Sequence, residues 1–476
     1  MINQTTILFT MPKKWFLLVF RVLFSIFMTH LRVLKYMKIH IQREIDKVLL
    51  NWKNQSDRKP LMLRGARQVG KSTAVQELSN HFKHFIEINF EAHIEVQAFF
   101  NGNLDPKTIC ENLSIYFDTP IIAGKTLLFF DEIQSCLPAI SSLRFFYEKM
   151  PELHLISAGS LLEFALEQLP SFGVGRVRSV FVYPLSFDEF LVSLGEQKLV
   201  NLKKKANFKQ PLALPFHQKL TEYFKKFLII GGMPEVVAKY ANGSDLLEVQ
   251  AVLDDLLISI RADFAKYKKR VPSMRISEVF DSIIQQNGGK FIYAKAAIQT
   301  SLSQIKEAVE LLIMSGLVIP ITHTSANGIP LGAEMDEKKR KLIFLDTGLY
   351  QRILGLNAGK LLAQNDFDSI NKGAIAEMFV GLEYLKYGSP LQHENLYYWH
   401  RESANSNAEI DYVIQQDGKV IPLEIKASNK GAMQSMFQFL KEKKSDYGIR
   451  LSLENFSTYP PINVFPLYAI STLRQE

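Results

Sequence analysis

Cysteine is scarce in this sequence, which has only Cys110 and Cys136 among its 476 residues. Two cysteines exclude a disulfide framework and a cysteine-rich metal site. They suit a reducing compartment, so we expect a cytoplasmic location. Apolar residues make up 47% of the chain, which is enough for packed cores in about three domains.

A general basic surplus is also absent. The formal net charge is +8, but residues 1–60 hold eleven Lys/Arg and three Asp/Glu, and the other 416 residues hold 45 of each. The sequence therefore lacks the overall basic footprint of a nucleic-acid-binding protein. A balanced total charge does not exclude local basic patches, so DNA remains one candidate partner.

No apolar run in the first 36 residues is long enough to cross a bilayer. Trp15–Phe20 and Val22–Met28 are short and are separated by Arg21. Three interpretations compete: an interfacial anchor, a poor signal-like segment, or an atypical extension ahead of a start at Met37. We favour the extension, over residues 1–36, and do not expect a membrane partner.

A complete phosphate-binding motif, GARQVGKS, occupies residues 65–72 between an apolar run and an amphipathic stretch. Glycines 65 and 70 let the backbone N–H groups face phosphates. Lys71 reaches the β- and γ-phosphates, and the Ser72 hydroxyl ligates Mg²⁺. The predicted nucleotide-binding residues are Gly65, Ala66, Arg67, Gln68, Val69, Gly70, Lys71, Ser72 and Thr73, with ATP and Mg²⁺ as cofactors.

The second half of a nucleotide site follows downstream. The apolar run at 126–130 predicts a buried parallel strand that ends in Asp131 and Glu132. Asp131 would hold Mg²⁺, and Glu132 would orient or deprotonate the attacking water. Ser160, after a third strand, is where a sensor of the γ-phosphate or water would lie; the alternative is a plain turn.

The rest of the chain divides into two further parts. Alternating strands and helices predict an α/β ATPase domain over residues 37–215, with a polar, basic loop at 201–211 as its boundary. Residues 216–350 predict a helical lid and a winged helix, with Ser303 as the cap of a helix at 304–314 and strands at 317–324 and 341–345. A packing domain that never contacts DNA is the alternative.

The final part, residues 360–476, carries acids on a predicted hairpin around Gln416-Asp-Gly. Period 2 places Asp411 with Glu409 on one face, and Glu424 with Lys426 on another. Two carboxylates and a lysine predict a divalent-metal phosphodiesterase site, with Glu377 of the preceding helix as a further ligand. An exposed strand face with an ion pair is the alternative.

The motif series GARQVGKST, LLFFDEIQ, ISAGSLLEF, GRVRSVFVYPLSFDEF, GGMPEVV, KLIFLDTGL, GAIAEMFV, EIDYVI and IPLEIKAS resembles the prokaryotic AAA-type P-loop ATPases with a C-terminal DUF4143 domain (AAA_14/DUF4143 type). The resemblance implies an AAA-like domain, a winged helix and a PD-(D/E)xK nuclease-like domain of restriction-endonuclease-like α/β fold. It also implies that Arg176 is an arginine finger for the γ-phosphate of its own or a neighbouring subunit; loop packing is the alternative. Ile410 stands where the nuclease pattern usually has proline, so the resemblance leaves DNA cleavage open.

These observations favour an ATP-hydrolysing switch whose nucleotide state controls the nuclease-like domain, with DNA as a candidate substrate. One rival is an active, Mg²⁺-dependent, ATP-regulated DNA endonuclease. The other is a non-enzymatic, ATP-occupied scaffold that binds a protein partner or forms a homo-oligomer. The intact set of Glu377, Asp411, Glu424 and Lys426 favours the endonuclease, and the balanced charge of residues 61–476 favours the scaffold.

Overall fold

The computed structural model describes residues 41–474 apart from 170–172, 174, 268–269, 298–299, 357–371, 403–406 and 428–432. The predicted extension at residues 1–36 lies outside the described residues. Residues from Gln42 onward form one compact unit. Within the described residues, no helix combines the length and apolar character needed to cross a membrane.

The N-terminal part is built on a five-stranded sheet with the order β2-β3-β4-β1-β5, and all its pairings are parallel. Its strands are β1 (Leu61–Arg64), β2 (His84–Asn89), β3 (Thr126–Asp131), β4 (His154–Ala158) and β5 (Arg178–Phe181). The central strands β3 and β4 are buried along their whole length. Burial on both faces explains the continuous apolar run in β3, whereas in β4 the buried His154 and Ser157 are hydrogen-bonded to backbone carbonyl oxygens.

Helices cover both faces of this sheet. They are α1 (Glu44–Lys53), α2 (Lys71–Ser79), α3 (Pro106–Tyr116), α4 (Leu137–Lys149) and α5 (Leu162–Glu167). On one face, side chains of β2 and β3 pack with α3 and α4 in a core that includes Ile88, Phe130 and Leu143. The α/β architecture with a parallel sheet agrees with the sequence prediction.

A helical region follows, made of α6 (Phe187–Ser193), α7 (Gln197–Lys205), α8 (Leu214–Ile230), α9 (Pro234–Ala241) and α10 (Leu246–Asp263). The prediction of a solvated loop at 201–211 is wrong for its first half, because α7 continues to Lys205. Lys203 is the reason: its side chain is fully buried, and its Nζ lies 2.5 Å from Asp188 Oδ1 and 2.7 Å from Ser471 Oγ. A buried acid partner distant in sequence turns an apparently solvated lysine into an interior residue.

The next segment contains α11 (Ser273–Gln285), α12 (Leu302–Met314), β6 (Val318–Thr324), β7 (Met335–Phe344) and α13 (Thr347–Ile353). The predicted cap of α12 is wrong by two residues, since the Ser301 hydroxyl, not that of Ser303, accepts from the Gln304 N–H at 3.3 Å. Between α11 and α12 the chain forms a single 3₁₀ turn, Tyr293–Lys295. The two predicted strands do pair antiparallel.

These two strands belong to a larger, eight-stranded sheet with the order β12-β13-β11-β10-β9-β8-β6-β7. The other strands are β8 (Leu396–His400), β9 (Glu409–Gln416), β10 (Lys419–Ile425), β11 (Gly448–Ser452), β12 (Ser457–Tyr459) and β13 (Ile462–Pro466). Parallel pairing of β6 with β8 carries the sheet across the boundary predicted near residue 350. The pair is therefore not a free wing, and the winged-helix identity of residues 273–350 is not confirmed.

Helices α14 (Lys372–Lys386) and α15 (Gln434–Lys443) pack on this sheet. The α15 side is apolar, where Met436 and Phe439 contact Trp399 and Val464. The predicted hairpin is present: β9 and β10 pair antiparallel, and Asp417 and Gly418 make the turn with φ of 50° and 74°. Positive φ at both central residues is the geometry that an Asp-Gly hairpin turn favours.

The segment from Leu185 to Phe187, which follows β5, joins the two sheets. The Leu185 N–H donates to Gly232 O at 2.7 Å, and Lys386 Nζ donates to Leu185 O at 2.9 Å. The Phe187 N–H donates to Glu383 Oε2 at 2.8 Å, and the Glu383 side chain is fully buried. Helix α14 and the glycines after α8 are therefore fixed to the same three residues, which we call the junction segment.

The Lys203–Asp188 pair yields a test of this packing. Lys203→Met should lower the free energy of unfolding by roughly 3–5 kcal/mol, because it removes the buried cation of Asp188 and leaves that carboxylate only the more distant, half-exposed Lys204 at 3.7 Å. Urea unfolding followed by far-UV circular dichroism measures the change. Lys205→Met, on the exposed face of the same helix, is the control and should be near neutral. Equal stability of the two variants would contradict the assigned role of Lys203.

Candidate functional site

The phosphate loop, residues 65–72, runs from the end of β1 into the first turn of α2. Gly65, Gln68 and Gly70 have φ of 141°, 62° and 95°. A Cβ on Gly65 would lie 2.1 Å from the carbonyl oxygen of Val182, so any larger residue would push the loop off the sheet. Gly70 is the N-cap of α2 and turns the chain through the left-handed region, which glycine favours.

The other predicted loop residues divide by exposure. Ala66 and Val69 are buried, whereas Gln68 and Thr73 are exposed. Lys71 is 7% exposed, and its Nζ donates to the carbonyl oxygens of Gly65 at 2.9 Å and Ala66 at 2.7 Å. Burial lowers the pKa of Lys71 to about 8, although the carboxylates of Glu132 and Asp131 oppose that shift. The ammonium is thus held inside the loop, on its concave side.

Ser72 and Asp131 form the predicted cation-binding pair. The Ser72 hydroxyl donates to Asp131 Oδ2 at 3.0 Å. Burial raises the pKa of Asp131 to about 6, with the neighbouring Glu132 charge adding to the shift. A hydroxyl and a carboxylate at hydrogen-bond distance, beside a glycine cradle with no room for a Cβ, fit the donor set of a nucleotide-bound Mg²⁺.

Glu132 is held in an unusual backbone conformation at the end of β3, with φ of 48°. Its Oε2 accepts from Gln134 Nε2 at 2.6 Å and from the Ser160 hydroxyl at 3.2 Å. Ser160 follows β4, the strand between β1 and β3, which is where the sequence predicts it. The structure therefore brings Glu132, Ser160 and Asp131 together at the carboxyl edge of the sheet, beside Lys71.

Arg67 connects this edge to the helical region. Its Nη1 lies 2.6 Å from Asp263 Oδ1, at the end of α10, and its Nε donates to the Ser160 hydroxyl at 3.2 Å. Asp263 could not be predicted as a partner of the loop, because no local signal marks a helix-terminal acid 196 positions away.

Two further missed residues support the loop. Arg43, just before α1, donates from Nη1 to Val69 O at 2.7 Å and from Nη2 to Tyr183 O at 2.8 Å. Gly316, after α12, packs so closely that a Cβ would lie 3.0 Å from the Ala66 nitrogen. A cavity of about 260 Å³ beside this contact is lined by residues of the loop edge, of the start of β6 and of the segment before β8.

Arg176 lies apart from these residues. It is half-exposed, and its Nε forms an ion pair with Glu148 near the end of α4. The following strand begins at Arg178, which aligns with Leu61 at the start of β1. Arg176 therefore lies at the amino edge of the sheet, opposite the phosphate loop, and the structure does not bring it to the nucleotide site of its own chain.

A second group of charged residues lies on the large sheet, where α14 packs against it. Lys341 of β7 is 2% exposed at its side chain, and its Nζ lies 2.6 Å from Glu409 Oε1 and 3.6 Å from Glu377 Oε2. Asp411 Oδ2 accepts from the Ile425 N–H at 2.7 Å, and Lys426 Nζ donates to Glu424 Oε1 at 2.6 Å. We call Glu377, Asp411, Glu424 and Lys341, with Glu409 and Lys426, the carboxylate cluster.

Burial and mutual repulsion dominate the electrostatics of the carboxylate cluster. Burial and the charge of Asp411 raise the pKa of Glu377 to about 8 and that of Glu424 to about 7. Burial also raises the pKa of Asp411. Burial opposes the charge of Lys341, yet the carboxylates of Glu377 and Glu409 together raise its pKa. The acids were predicted from the sequence, but Lys341 was not, because it lies on a strand that was predicted to belong to another domain.

The three predicted ligands of this cluster are close in space but not yet arranged as a metal site. Within the described part of the chain, Glu377, Asp411 and Glu424 do not bring three ligand oxygens within 4.8 Å of one another. Each carboxylate instead faces its own partner: Lys341, the Ile425 N–H or Lys426. Glu424 Oε2 is buried and has no hydrogen-bond partner in the described part of the chain, so one oxygen remains for a cation.

The fold and the phosphate loop together define a P-loop domain of the AAA type, built on a parallel sheet. Family models identify it further: the AAA domain AAA_14 matches residues 57–191, and the domain of unknown function DUF4143 matches residues 372–470. The chain thus combines the two domains that its motifs resemble, which confirms that resemblance. Between them, residues 221–360 match a further domain of unknown function, DUF8612.

Similarity to individual proteins is low. An uncharacterized protein of Methanocaldococcus jannaschii is 27% identical over 217 residues, a match that covers 44% of this chain and 43% of that protein. This chain therefore matches less than half of that relative's length.

Two solved structures share limited similarity with the chain. The Aeropyrum pernix Orc1 protein in complex with DNA is 13% identical, with a TM-score of 0.26 over 69% of this chain and 92% of that one. Unliganded Pif1 from Bacteroides sp. is 16% identical, with a TM-score of 0.21 over 35% and 50%. Scores this low say nothing about function.

The lowered pKa of Lys71 predicts how nucleotide affinity depends on pH. Bound phosphates favour the ammonium, so the complex holds this proton to higher pH than the free protein does. Below pH 8 both forms are protonated; above it binding takes up a proton, and ATP affinity should fall by up to about tenfold per pH unit. Calorimetry between pH 7 and pH 9.5, in buffers of different ionisation enthalpy, measures both the affinity and the proton uptake.

Lys71→Arg is the matched control, because a guanidinium stays charged throughout this range. Its affinity is expected to be weaker but flat with pH. If the ATP affinity of the unaltered protein were equally independent of pH, Lys71 would not change its protonation on binding, and the prediction would be wrong.

Proposed function

We propose that this protein binds ATP with Mg²⁺ at the phosphate loop and hydrolyses it, and that the nucleotide state controls the position of the C-terminal domain. The observation that carries the proposal is the placement of Lys71, the Ser72–Asp131 pair and Glu132 at one edge of one sheet. These are the groups that phosphoryl transfer to water requires, and they come from two separate stretches of sequence.

Each residue has a role that follows from its contacts. Lys71 and the loop N–H groups would position the β- and γ-phosphates, and Ser72 and Asp131 would hold Mg²⁺. Bound MgATP supplies the phosphoanhydride bond to be cleaved, together with the cation that offsets its charge. Glu132 would orient the attacking water and accept its proton, while Ser160 holds the Glu132 carboxylate in place.

Contacts across the loop support the switch. Ala66 abuts Gly316, and Arg67 binds both Ser160 and Asp263, so the loop touches the helical region and the start of the large sheet. A phosphate that attracts Arg67 or Ser160 would compete with the Arg67–Asp263 ion pair. Strand β6 begins next to Gly316 and pairs with β8 of the DUF4143 domain. A movement of the phosphate loop at Ala66 would therefore be transmitted to that domain through β6.

Glu132→Gln should retain ATP binding but lower turnover by roughly 10²–10⁴-fold, because the amide cannot accept the proton of water. Lys71→Ala should abolish ATP binding. Phosphate release and nucleotide binding are the two measurements. Glu152→Gln, an exposed acid at the opposite edge of the sheet, is the control and should behave like the unaltered protein. Equal turnover in Glu132→Gln would refute its assigned role.

The switch is tested in the same proteins by amide hydrogen exchange. ATP added to Glu132→Gln should change the exchange of residues 313–320, which lie beside Ala66, and should leave Lys71→Ala unaffected. Exchange that is identical with and without ATP at these residues would remove the switch from the proposal while leaving the ATPase intact.

Arg176 keeps the role of a finger for a neighbouring subunit as a proposal. An Arg176→Ala variant in a turnover assay across protein concentrations tests it.

The carboxylate cluster supports a second candidate function, an Mg²⁺-dependent phosphodiesterase acting on DNA. Its specific observation is the convergence of Glu377, Asp411 and Glu424 around Lys341, with raised pKa values on all three acids. Buried carboxylates of this kind suit a divalent cation, and a buried lysine suits an attacked phosphate. Here Asp411 and Glu424 would hold the metal with Glu377, while Lys341 or Lys426 would offset charge.

A divalent cation should therefore stabilise the full chain through this cluster. Mn²⁺ or Mg²⁺ should raise the midpoint of thermal unfolding, because it relieves repulsion among the acids. Asp411→Asn should remove that increase without altering ATP binding. Glu454→Gln, an acid outside the cluster, is the control. The same increase in Asp411→Asn as in the unaltered chain would reduce the cluster to a structural ion-pair network, and a DNA cleavage assay with each cation then tests the activity itself.

A further inference from the structure

A second set of metal-ligating side chains lies on the large sheet, outside both sites described above. His323 is on β6, His400 ends β8, and Glu402 follows two residues later. Each offers one ligand atom, and these atoms all lie within 4.8 Å of one another. The strands that carry the two histidines pair in parallel, so the backbone holds the imidazoles side by side, with ring centroids 4.4 Å apart.

Hydrogen bonding leaves both imidazoles with an unused nitrogen. His323 Nε2 lies 3.3 Å from the carbonyl oxygen of His400, which can only accept, so Nε2 carries the proton and Nδ1 has a free lone pair. Among the residues that the structure describes, His323 Nδ1 and His400 Nδ1 are both buried and have no hydrogen-bond partner. An imidazole that donates one N–H to a backbone carbonyl and directs its other nitrogen at an open position is the usual arrangement of a metal ligand.

Glu402 completes the set from the solvent side. Its Oε1 lies 4.0 Å from His323 Nδ1, and its side chain is 55% exposed, whereas that of His323 is 2% exposed. Lys339 forms an ion pair with Glu402 and also lies 3.3 Å from Asp336 Oδ2. The Glu402 carboxylate is therefore already placed against a cation, and Lys339 has a second acid to bind if another cation replaces it.

We propose that His323, His400 and Glu402 bind a zinc ion, with the fourth position open to solvent. Two imidazole nitrogens and one carboxylate form a donor set that zinc accepts and that Mg²⁺ and Ca²⁺, which prefer oxygen ligands, do not. The site joins β6, within the DUF8612 match, to the segment after β8, within the DUF4143 match. Zinc would thus link the two domains of unknown function at the face of the sheet they share.

The test uses the full chain, stripped of metal with a chelator and titrated with Zn²⁺ by calorimetry. We expect one strong zinc site per chain, and a visible absorption band of tetrahedral geometry when Co²⁺ replaces Zn²⁺. His400→Gln and Glu402→Gln should each weaken zinc binding by roughly tenfold or more, because each removes a ligand. Glu402 is exposed, so its variant should fold even if changes at the buried His323 do not.

Two control variants separate this site from the rest of the sheet. Glu337→Gln, an exposed acid on the neighbouring β7, should bind zinc as the unaltered chain does. Asp411→Asn should also retain binding, which distinguishes this site from the carboxylate cluster and makes the result independent of the proposed function. The proposal is overturned if the unaltered chain binds no zinc, or if Glu402→Gln and His400→Gln bind it with unchanged affinity.

Discussion

The three peptide groups of the junction segment, Leu185 to Phe187, hold the remaining parts of this structure in register. The Leu185 N–H and C=O and the Phe187 N–H are satisfied by residues far away in sequence: Gly232 after α8, and Glu383 and Lys386 on α14. Glu383 is fully buried, so its carboxylate depends on the Phe187 N–H and the Lys386 ammonium for compensation. A buried charge bound in this way fixes geometry strictly, because any movement would leave it unpaired.

The chain just beyond the junction segment also contacts residues that support the phosphate loop. Glu189, two residues beyond it, accepts from the Glu44 N–H at 2.8 Å and lies beside Arg43, which in turn donates to Val69 O in the loop. The loop is thus supported by the chain that enters the AAA domain and by the chain that leaves it. The contact between the junction segment and the chain after α8 also requires a glycine, because Gly232 has no room for a Cβ against Leu185.

Much of the nucleotide site could be predicted because its signals are local. The glycines, Lys71 and Ser72 occupy one motif, and Asp131 and Ser160 follow strands whose carboxyl ends must meet at one edge. Predictions failed where the deciding contact is distant in sequence. Lys203 looked solvated because its partners, Asp188 and Ser471, lie in other segments. Lys341 and Asp263 were missed for the same reason. The periodicity of apolar residues also does not reveal that two parts of the chain share one sheet.

The pairing of β6 with β8 has a consequence for inheritance and for engineering. Genes exchange domains as contiguous segments, and the DUF4143 segment taken alone would expose the edge of β8 and lose Lys341, the cation that faces Glu377 and Glu409. An exposed edge strand favours pairing with other chains, and without Lys341 the acids of the carboxylate cluster repel one another more strongly. The large sheet can therefore be transplanted only together with the segment from β6 to β7, so the unit that evolution or a designer can move begins well before residue 372.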